Sequence, residues 1–128
     1  LNSADVVLGM SGGEGWGLPE FQSVALGSHA VMLNCTAYKE WANEENSVLV
    51  QPSGKKEVYD GLFFKKGDSW NQGKIFDYNE NEFIEACDQV IKRVENDRCN
   101  HKGLELTKKF TSEKLADNIL KILVDLET

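Results

Sequence analysis

The chain has 128 residues, the usual size of one domain, so we expect residues 1–128 to form a single folding unit. Its 21 aspartates and glutamates outnumber 14 lysines and arginines, and the net charge is −7. This acidity excludes a non-specific nucleic-acid binder, which needs a basic surface to displace counterions from phosphate. No run approaches the roughly 18 apolar residues of a membrane span, and we see no basic-then-apolar leader, so we expect a cytoplasmic protein.

Three cysteines occur, Cys35, Cys87 and Cys99, and no two of them form a Cys-x-x-Cys pair. Their odd number and wide spacing favour reduced structural thiols over a disulfide framework. Only His29 and His101 could add further metal ligands of the same kind, so the sequence predicts no metal site.

The first third of the chain predicts a strand, a glycine-rich loop and a helix. Val6–Met10 is a short β-branched apolar run, which is typical of a strand buried on both faces. Ser11–Gly17 contains four glycines in seven residues and predicts a loop. A helix over Leu18–Leu26 follows, because Pro19 suits a first helical turn and Gly27 suits a left-handed C-terminal cap.

The next segment continues the alternation of strands and helices. Ala30–Asn34 and Ser47–Val50 read as buried strands, and a short helix is expected near residues 37–43. Strand, helix, strand at this spacing predicts an α/β fold, a partial doubly wound, Rossmann-like parallel sheet of about three main strands. The helical spacing predicts that one face of the first helix packs on this sheet, with the residues Leu18, Phe21, Val24 and Ala25.

Residues 52–78 carry a looser pattern, punctuated by glycines and lysines. Tyr59–Phe64 and Lys74–Tyr78 could pair as a hairpin that turns at Lys66–Asp68. A long surface loop is the alternative, and no function is assigned to this stretch.

The last third of the chain is predicted to be helical. Asn79 and Glu82 form a plausible cap pair before an apolar stripe over residues 83–94. A second helical stretch is expected at residues 101–109, and Ser112 can cap a final helix. Apolar residues in that final helix cover more than one core face, which indicates either a fraying end or a surface for a partner.

The glycine-rich loop is the candidate functional site. It places backbone N–H groups and a helix N-terminus at the carboxyl edge of a parallel sheet, where doubly wound proteins bind anionic ligands. Two known phosphate-binding loops do not match. The dinucleotide fingerprint needs Gly where Glu20 stands, and the nucleoside-triphosphate loop needs Lys and Ser or Thr where Leu18 and Pro19 stand.

Glu14 is the unusual residue of this loop, since it places a carboxylate among amides that favour anions. The carboxylate can accept hydrogen bonds from sugar hydroxyls while the neighbouring amides hold a phosphate, which together suit a sugar phosphate or nucleotide sugar. Alternatively, Glu14 only stabilises the positive end of the following helix.

A family resemblance rests on this loop and its flanks: Ala4–Leu8, Ser11, Glu14–Pro19 and Ala25–Gly27. This pattern resembles the donor-binding segment of the retaining glycosyltransferases of the GT-B fold, the group 1 enzymes of glycosyltransferase family four. The strong match covers about residues 4–27, and a fainter similarity covers most of the rest.

The resemblance makes Glu14 the candidate catalytic residue, as the first acid of the family's Glu-x7-Glu motif, which contacts the hydroxyls of the donor sugar. It also implies a turn whose backbone amides meet the sugar and diphosphate, with the residues Gly13, Gly15, Trp16, Gly17 and Leu18. Gln22 stands where the family has a second Glu that grips the ribose, and its amide is a weaker acceptor. Glu20 lies about 200° from Gln22 around a helix and should not replace it. His29 replaces a turn proline and is interpreted as a turn residue rather than a catalyst.

The resemblance further implies an enzyme that transfers a sugar from a nucleotide-sugar donor with retention, without a cofactor or a required metal. The family's basic pair and its acceptor-binding N-terminal domain are absent from these residues, so we expect this chain by itself to be inactive. The only nearby cations, Lys39, Lys55 and Lys56, are expected to be solvated surface residues. We therefore expect the chain to be the C-terminal part of a longer protein, and that parent protein could associate peripherally with a membrane.

Two alternatives stay open. One is a non-catalytic domain that binds a nucleotide sugar or phosphate ligand, or serves assembly, on the same scaffold, which Gln22 favours. The other is a flavodoxin-like phosphate binder, which would need five strands where the sequence predicts three. Three strands are half of a doubly wound sheet, so we expect Val6–Met10 to expose an edge through which the chain could pair with a second copy.

Overall fold

Three short parallel strands form the centre of the fold, in the spatial order β1–β2–β3. In the computed structural model, which describes residues 3–70 and 73–127, these strands are β1 (Val6–Gly9), β2 (His29–Leu33) and β3 (Val48–Val50). The register pairs Val7 with Ala30 and Met32 with Leu49. The predicted α/β fold with a three-stranded parallel sheet is therefore confirmed.

The strands differ in burial, and the two edge strands are not alike, since Val48 and Val50 of β3 are buried. Every residue of β2 is buried, whereas Val6 and Val7 are half-buried and Leu8 is 50% exposed. The prediction that β1 is buried on both faces is thus wrong. Within residues 3–70 and 73–127, β1 pairs only with β2, which leaves its outer edge open as the three-strand count predicts.

Helices connect and cover the sheet. They are α1 (Leu18–Ala25), a 3₁₀ helix (Thr36–Glu40), α2 (Glu80–Asn96), α3 (His101–Leu104), α4 (Leu106–Lys109) and α5 (Ser112–Glu127). Two predicted caps are present, since Asn79 accepts hydrogen bonds from the N–H groups of Asn81 and Glu82, and Gly27 has a left-handed φ of 100°. The predicted cap at Ser112 is wrong, because Ser112 is the first residue of α5 and Thr111 Oγ1 accepts the Lys114 N–H at 3.3 Å. The helix expected near residues 37–43 is instead the shorter 3₁₀ turn.

Apolar side chains pack on both faces of the sheet. One cluster places α1 and the 3₁₀ helix on the sheet and contains Val24, Ala25, Ala30, Met32, Tyr38, Trp41, Ala42 and Leu106. The opposite cluster places α2 on the sheet and contains Val31, Leu33, Cys35, Val48, Val50, Ala86 and Val90. Three predicted core positions are wrong, because Leu18, Ile84 and Ile91 are 51–59% exposed. The buried stripe of α2 is centred on Ala86 and Val90 instead.

A two-stranded antiparallel hairpin follows β3. It pairs β4 (Pro52–Glu57) with β5 (Lys74–Tyr78), so the predicted strand at Tyr59–Phe64 is wrong. The reason is local, because the Asp60 carboxylate accepts hydrogen bonds at 2.8–2.9 Å from the N–H groups of residues 62, 63 and 64 and closes a turn there.

His29 begins β2 and does not lie in a turn, which corrects the sequence interpretation. Its side chain is buried, and Nε2 lies 2.7 Å from the Asp97 carbonyl oxygen beyond the end of α2. Because this is the amino edge of the sheet, His29 lies at the end of the strand opposite the glycine-rich loop.

Helix α5 lies outside both clusters. Its large apolar side chains are 49–77% exposed, and they are Leu115, Ile119, Leu120, Ile122, Leu123, Val124 and Leu126. At 100° per residue these side chains spread over an arc of about 200°, wider than one core face requires. Among the described helices, none is long and apolar enough to cross a bilayer.

We expect the double replacement Leu120→Gln and Leu123→Gln to change the free energy of unfolding by about 0.5 kcal/mol or less per site, because both side chains are already exposed. The control Val90→Ala removes a side chain that is 2% exposed and should lower the free energy by about 1–3 kcal/mol. Urea unfolding followed by circular dichroism measures both. A comparable loss in the two variants would contradict the placement of α5 outside the core.

Candidate functional site

The glycine-rich loop joins the carboxyl end of β1 to the start of α1, as the sequence predicts. It is tied to the carboxyl end of β2 by two contacts. The backbone N–H of Glu14 donates to Thr36 Oγ1 at 3.2 Å, and the Cys35 thiol donates to the carbonyl of Ser11 at 3.6 Å. Thr36 has a φ of 46°, in the left-handed region that few non-glycine residues adopt. The loop is thus held across two strand ends.

Gly17 ends the loop and is the N-cap residue of α1. Its φ of 73° is left-handed, and a Cβ at this position would collide with the ring of Tyr38, so the site requires glycine for two independent reasons. No side chain caps the helix, and Pro19 lacks an N–H group. The N–H groups of Leu18 and Glu20 therefore lack helical partners and can be offered to a ligand at the positive end of the helix dipole.

Tyr38 lies beneath this turn with a relative exposure of 0%. Its hydroxyl is buried and has no well-aligned hydrogen bond within residues 3–70 and 73–127, although the Glu20 side chain lies close to it. A Glu20 carboxylate oxygen lies 3.2 Å from the point where a Gly17 Cβ would stand. Burial raises the pKa of Tyr38, and the charges of Glu20 and Glu14 raise it further. The floor of the turn is therefore an acidic, partly desolvated environment.

Trp16 is turned toward the protein. Its ring makes edge contacts with Phe21 and Phe110 at centroid distances of 5.6 and 5.3 Å, and Trp41 Nε1 donates to the Trp16 carbonyl at 3.0 Å. The aromatic ring thus anchors the loop to the rest of the protein.

The predicted site residues are only partly brought together. Gly13, Gly15 and Leu18 are exposed along the loop and the helix start, and Glu14 is half-buried among them. Gln22 is exposed one turn further along α1, and no hydrogen bond joins its side chain to the loop in the part of the chain that the structure describes. Glu20, which sequence reasoning set aside, instead reaches back toward Gly17.

Sequence reasoning missed the contact between the loop and the hairpin. The Phe76 N–H donates to the Gly12 carbonyl at 3.0 Å, and Ile75 packs against Gly12 and Gly13. A Cβ on Gly12 would collide with the backbone of Phe76. The only indication in the sequence is the single residue, Gln51, between the third strand and the hairpin, which keeps the hairpin close to the carboxyl edge.

The lysines near the loop either contact other side chains of the protein or lie exposed on its surface. Lys56 pairs with Asp77 at 2.8 Å, Lys55 lies 4.6 Å from the centre of the Phe76 ring, and Lys39 is exposed. The three cysteines are free thiols, and burial raises the pKa of Cys35. Over residues 3–70 and 73–127, no group of three His, Cys, Asp or Glu side chains is arranged to hold a metal ion.

Two cavities lie away from the tip of the loop. One cavity of about 840 Å³ lies between the side chains of Trp16 and Phe110 and the first turns of α5. Another of about 410 Å³ lies near the amino edge of β3 and is lined by Asn46, Lys102, Lys108, Lys109 and Lys114. Neither includes Glu14, so the candidate site is an open edge of the sheet rather than either of these cavities.

No protein-family model matches the chain, and no curated protein matches it.

We expect Tyr38→Phe to raise the free energy of unfolding by about 1 kcal/mol, because it removes a buried hydroxyl that makes no hydrogen bond. The exposed Tyr59 provides a control, and Tyr59→Phe should change the stability by about 0.5 kcal/mol or less, because its hydroxyl contact with Glu57 is exposed to solvent. Denaturant titration of both variants measures the difference. A loss of stability in Tyr38→Phe would show that the hydroxyl is paired.

The raised pKa of Tyr38 also predicts a pH dependence. The folded protein keeps the phenolic proton at pH values where the unfolded chain loses it, above about 10. The stability that this proton contributes is therefore present below about pH 10 and is lost as the pH rises further. We expect the free energy of unfolding to fall less steeply above pH 10 in Tyr38→Phe than in wild type. Equal slopes would contradict this placement of the hydroxyl.

Proposed function

We propose that this chain is the donor-binding part of a retaining glycosyltransferase that uses a nucleotide sugar. The observation that carries the proposal is the position of Glu14 in a glycine-rich loop at the carboxyl end of β1, directly before an uncapped helix. This is the edge at which parallel α/β sheets bind ligands.

A nucleotide-sugar donor has a diphosphate and a sugar, and the site offers N–H groups for the first and a carboxylate for the second. The diphosphate suits the N–H groups of Leu18 and Glu20 and the positive end of α1, which need no basic side chain in a chain of charge −7. The Glu14 carboxylate suits vicinal sugar hydroxyls. As the bond to the sugar breaks, negative charge grows on the diphosphate, and fixed amides stabilise it without reorganising.

The proposal assigns the acceptor and the remaining polar groups to a separate domain. In this scheme the chain by itself binds donor weakly and transfers no sugar, and it needs neither a cofactor nor a metal. Detectable sugar transfer by the purified 128-residue chain would overturn this division of roles.

A non-catalytic binding domain is the second candidate, and Gln22 favours it. The side chain is neutral, exposed and not hydrogen-bonded to the loop in the described structure, so the second acidic contact of the family motif is missing. The two candidates share the loop site but differ in whether a donor bound there reacts.

Calorimetry with UDP- and GDP-sugars tests the site. We expect one of them to bind the wild-type chain and Glu14→Ala to weaken that binding about 10- to 100-fold, the cost of losing hydrogen bonds to a charged acceptor. Glu95→Ala is the matched control, because Glu95 is an exposed carboxylate on α2. Its affinity should equal that of wild type.

Two results would contradict the donor-site proposal. One is equal binding by wild type and Glu14→Ala, which would place the ligand elsewhere. The other is the absence of binding by the wild-type chain to any of these nucleotide sugars.

A further inference from the structure

The cavity near the amino edge of β3 is built on the folded core. Its volume of about 410 Å³ lies in the range of small-molecule sites. Its lining includes the buried residues Trp41, Asn46 and Leu106, and Trp41 and Leu106 also belong to the apolar cluster that packs α1 on the sheet. The other walls come from α3, α4 and the start of α5.

Hydrogen bonds fix the backbone on the side of the cavity that carries Asn46. Asn46 Nδ2 donates to the Trp41 carbonyl at 2.8 Å, and Asn46 Oδ1 accepts the Asn43 N–H at 2.9 Å. The Asn100 amide donates to the Asn46 carbonyl at 2.8 Å. This side of the cavity is therefore formed before any ligand binds.

Positive charge gathers around this cavity. Its lining contains four lysines and only two glutamates, an excess of two positive charges in a chain whose net charge is −7. The lysines come from three successive helices, α3, α4 and α5, so the dipole of one helix does not account for the grouping. These charged residues are Lys102, Lys108, Lys109, Lys114, Glu45 and Glu105.

The glutamates act mainly on one of the lysines. Lys102 Nζ lies 3.2 Å from a Glu105 carboxylate oxygen, and the carboxylates of Glu105 and Glu45 raise the pKa of Lys102.

The other three lysines make contacts that leave their charge in place. Lys114 Nζ donates to the carbonyl of Lys108 at 2.6 Å, and Lys109 Nζ lies 5.2 Å from the centre of the Phe110 ring. Within residues 3–70 and 73–127, no carboxylate lies within 4 Å of the ammonium groups of Lys108, Lys109 or Lys114. Three positive charges thus line one cavity without a neutralising partner.

This distribution of charge indicates the chemistry of a ligand. Like charges around one cavity repel each other, and an anion that contacts several of them relieves the repulsion and gains charge-assisted hydrogen bonds. Lysine ammonium groups are common ligands of phosphate. The acidity of the whole chain opposes polyanionic surfaces such as nucleic acid or an anionic membrane, and the volume suits a small molecule.

We propose that this cavity binds a small molecule that carries two or more negative charges, such as a phosphate ester. Lys108, Lys109 and Lys114 provide the positive charge, and the exposed Glu45 opposes it. The site is separate from the glycine-rich loop and does not depend on the proposed function.

Thermal unfolding tests this site, with sodium pyrophosphate as the probe and sodium chloride at equal ionic strength as the reference. Pyrophosphate should raise the melting temperature of the wild-type chain above that in chloride, and its concentration dependence gives an apparent dissociation constant. The double variant Lys108→Ala and Lys109→Ala should weaken binding about three- to tenfold, because two charged donors are lost.

Lys65→Ala with Lys66→Ala is the matched control for this double variant. Lys65 and Lys66 are also adjacent and exposed, and neither lines the cavity, so the change in net charge is the same. This control should bind pyrophosphate as wild type does.

A variant of opposite sign uses the acidic side of the lining. Glu45→Gln removes a negative charge from the cavity and should strengthen pyrophosphate binding about two- to threefold. Glu44→Gln is its control, because Glu44 is an exposed neighbour outside the lining, and its affinity should equal that of wild type.

Two-dimensional ¹⁵N NMR locates the bound anion. Titration with pyrophosphate should shift the backbone resonances of Lys108 and Lys109 and the side-chain amide of Asn46. Binding at the start of α1 would instead shift Leu18 and Glu20, so the spectrum separates this cavity from the glycine-rich loop.

Three results would overturn the inference. The first is a wild-type chain that pyrophosphate stabilises no more than chloride does. The second is equal weakening in the two double lysine variants, which would show a response to net charge alone. The third is a set of NMR shifts confined to the glycine-rich loop. If Lys108→Ala with Lys109→Ala fails to fold in chloride, Glu45→Gln decides, and an affinity no higher than that of Glu44→Gln contradicts the site.

Discussion

The close contact between Gly12 and the backbone of Phe76 organises the functional edge of this fold. A side chain at Gly12 would collide with the backbone of Phe76. The Gly12 carbonyl also accepts the Phe76 N–H, and Gly12 belongs to the loop that carries Glu14. This contact sets how closely the hairpin packs against the loop.

The packing that supports the loop comes from aromatic side chains. Tyr38 lies beneath the turn and requires Gly17 to have no side chain, and the Trp16 ring packs on Phe21. Because these rings fix the turn, the N–H groups at the start of α1 are held in place before any ligand arrives. Such preorganisation is what the proposed stabilisation of a leaving diphosphate would need.

Two other surfaces are left unpaired within the described structure, the outer edge of β1 and the apolar arc of α5. Both clusters of buried residues are complete without them. The open edge of β1 is suited to pairing with another strand, including that of a second copy, since its N–H and C=O groups are unpaired on that side. The folded core and the surfaces available to partners are therefore separate parts of this chain.

Local patterns in the sequence determined the parallel strands, the caps at Asn79 and Gly27, and the loop with Glu14, because burial periodicity and backbone conformation act over a few residues. Tertiary structure alone decided the pairing of Pro52–Glu57 with β5, since Pro-Ser-Gly-Lys-Lys-Glu has little intrinsic strand preference and pairs because β3 delivers it there. It likewise turned Glu20 toward Gly17, left Gln22 exposed, and excluded α5 from the core. Helical periodicity reports which residues share a face, but the neighbour that a face meets depends on segments distant in the chain.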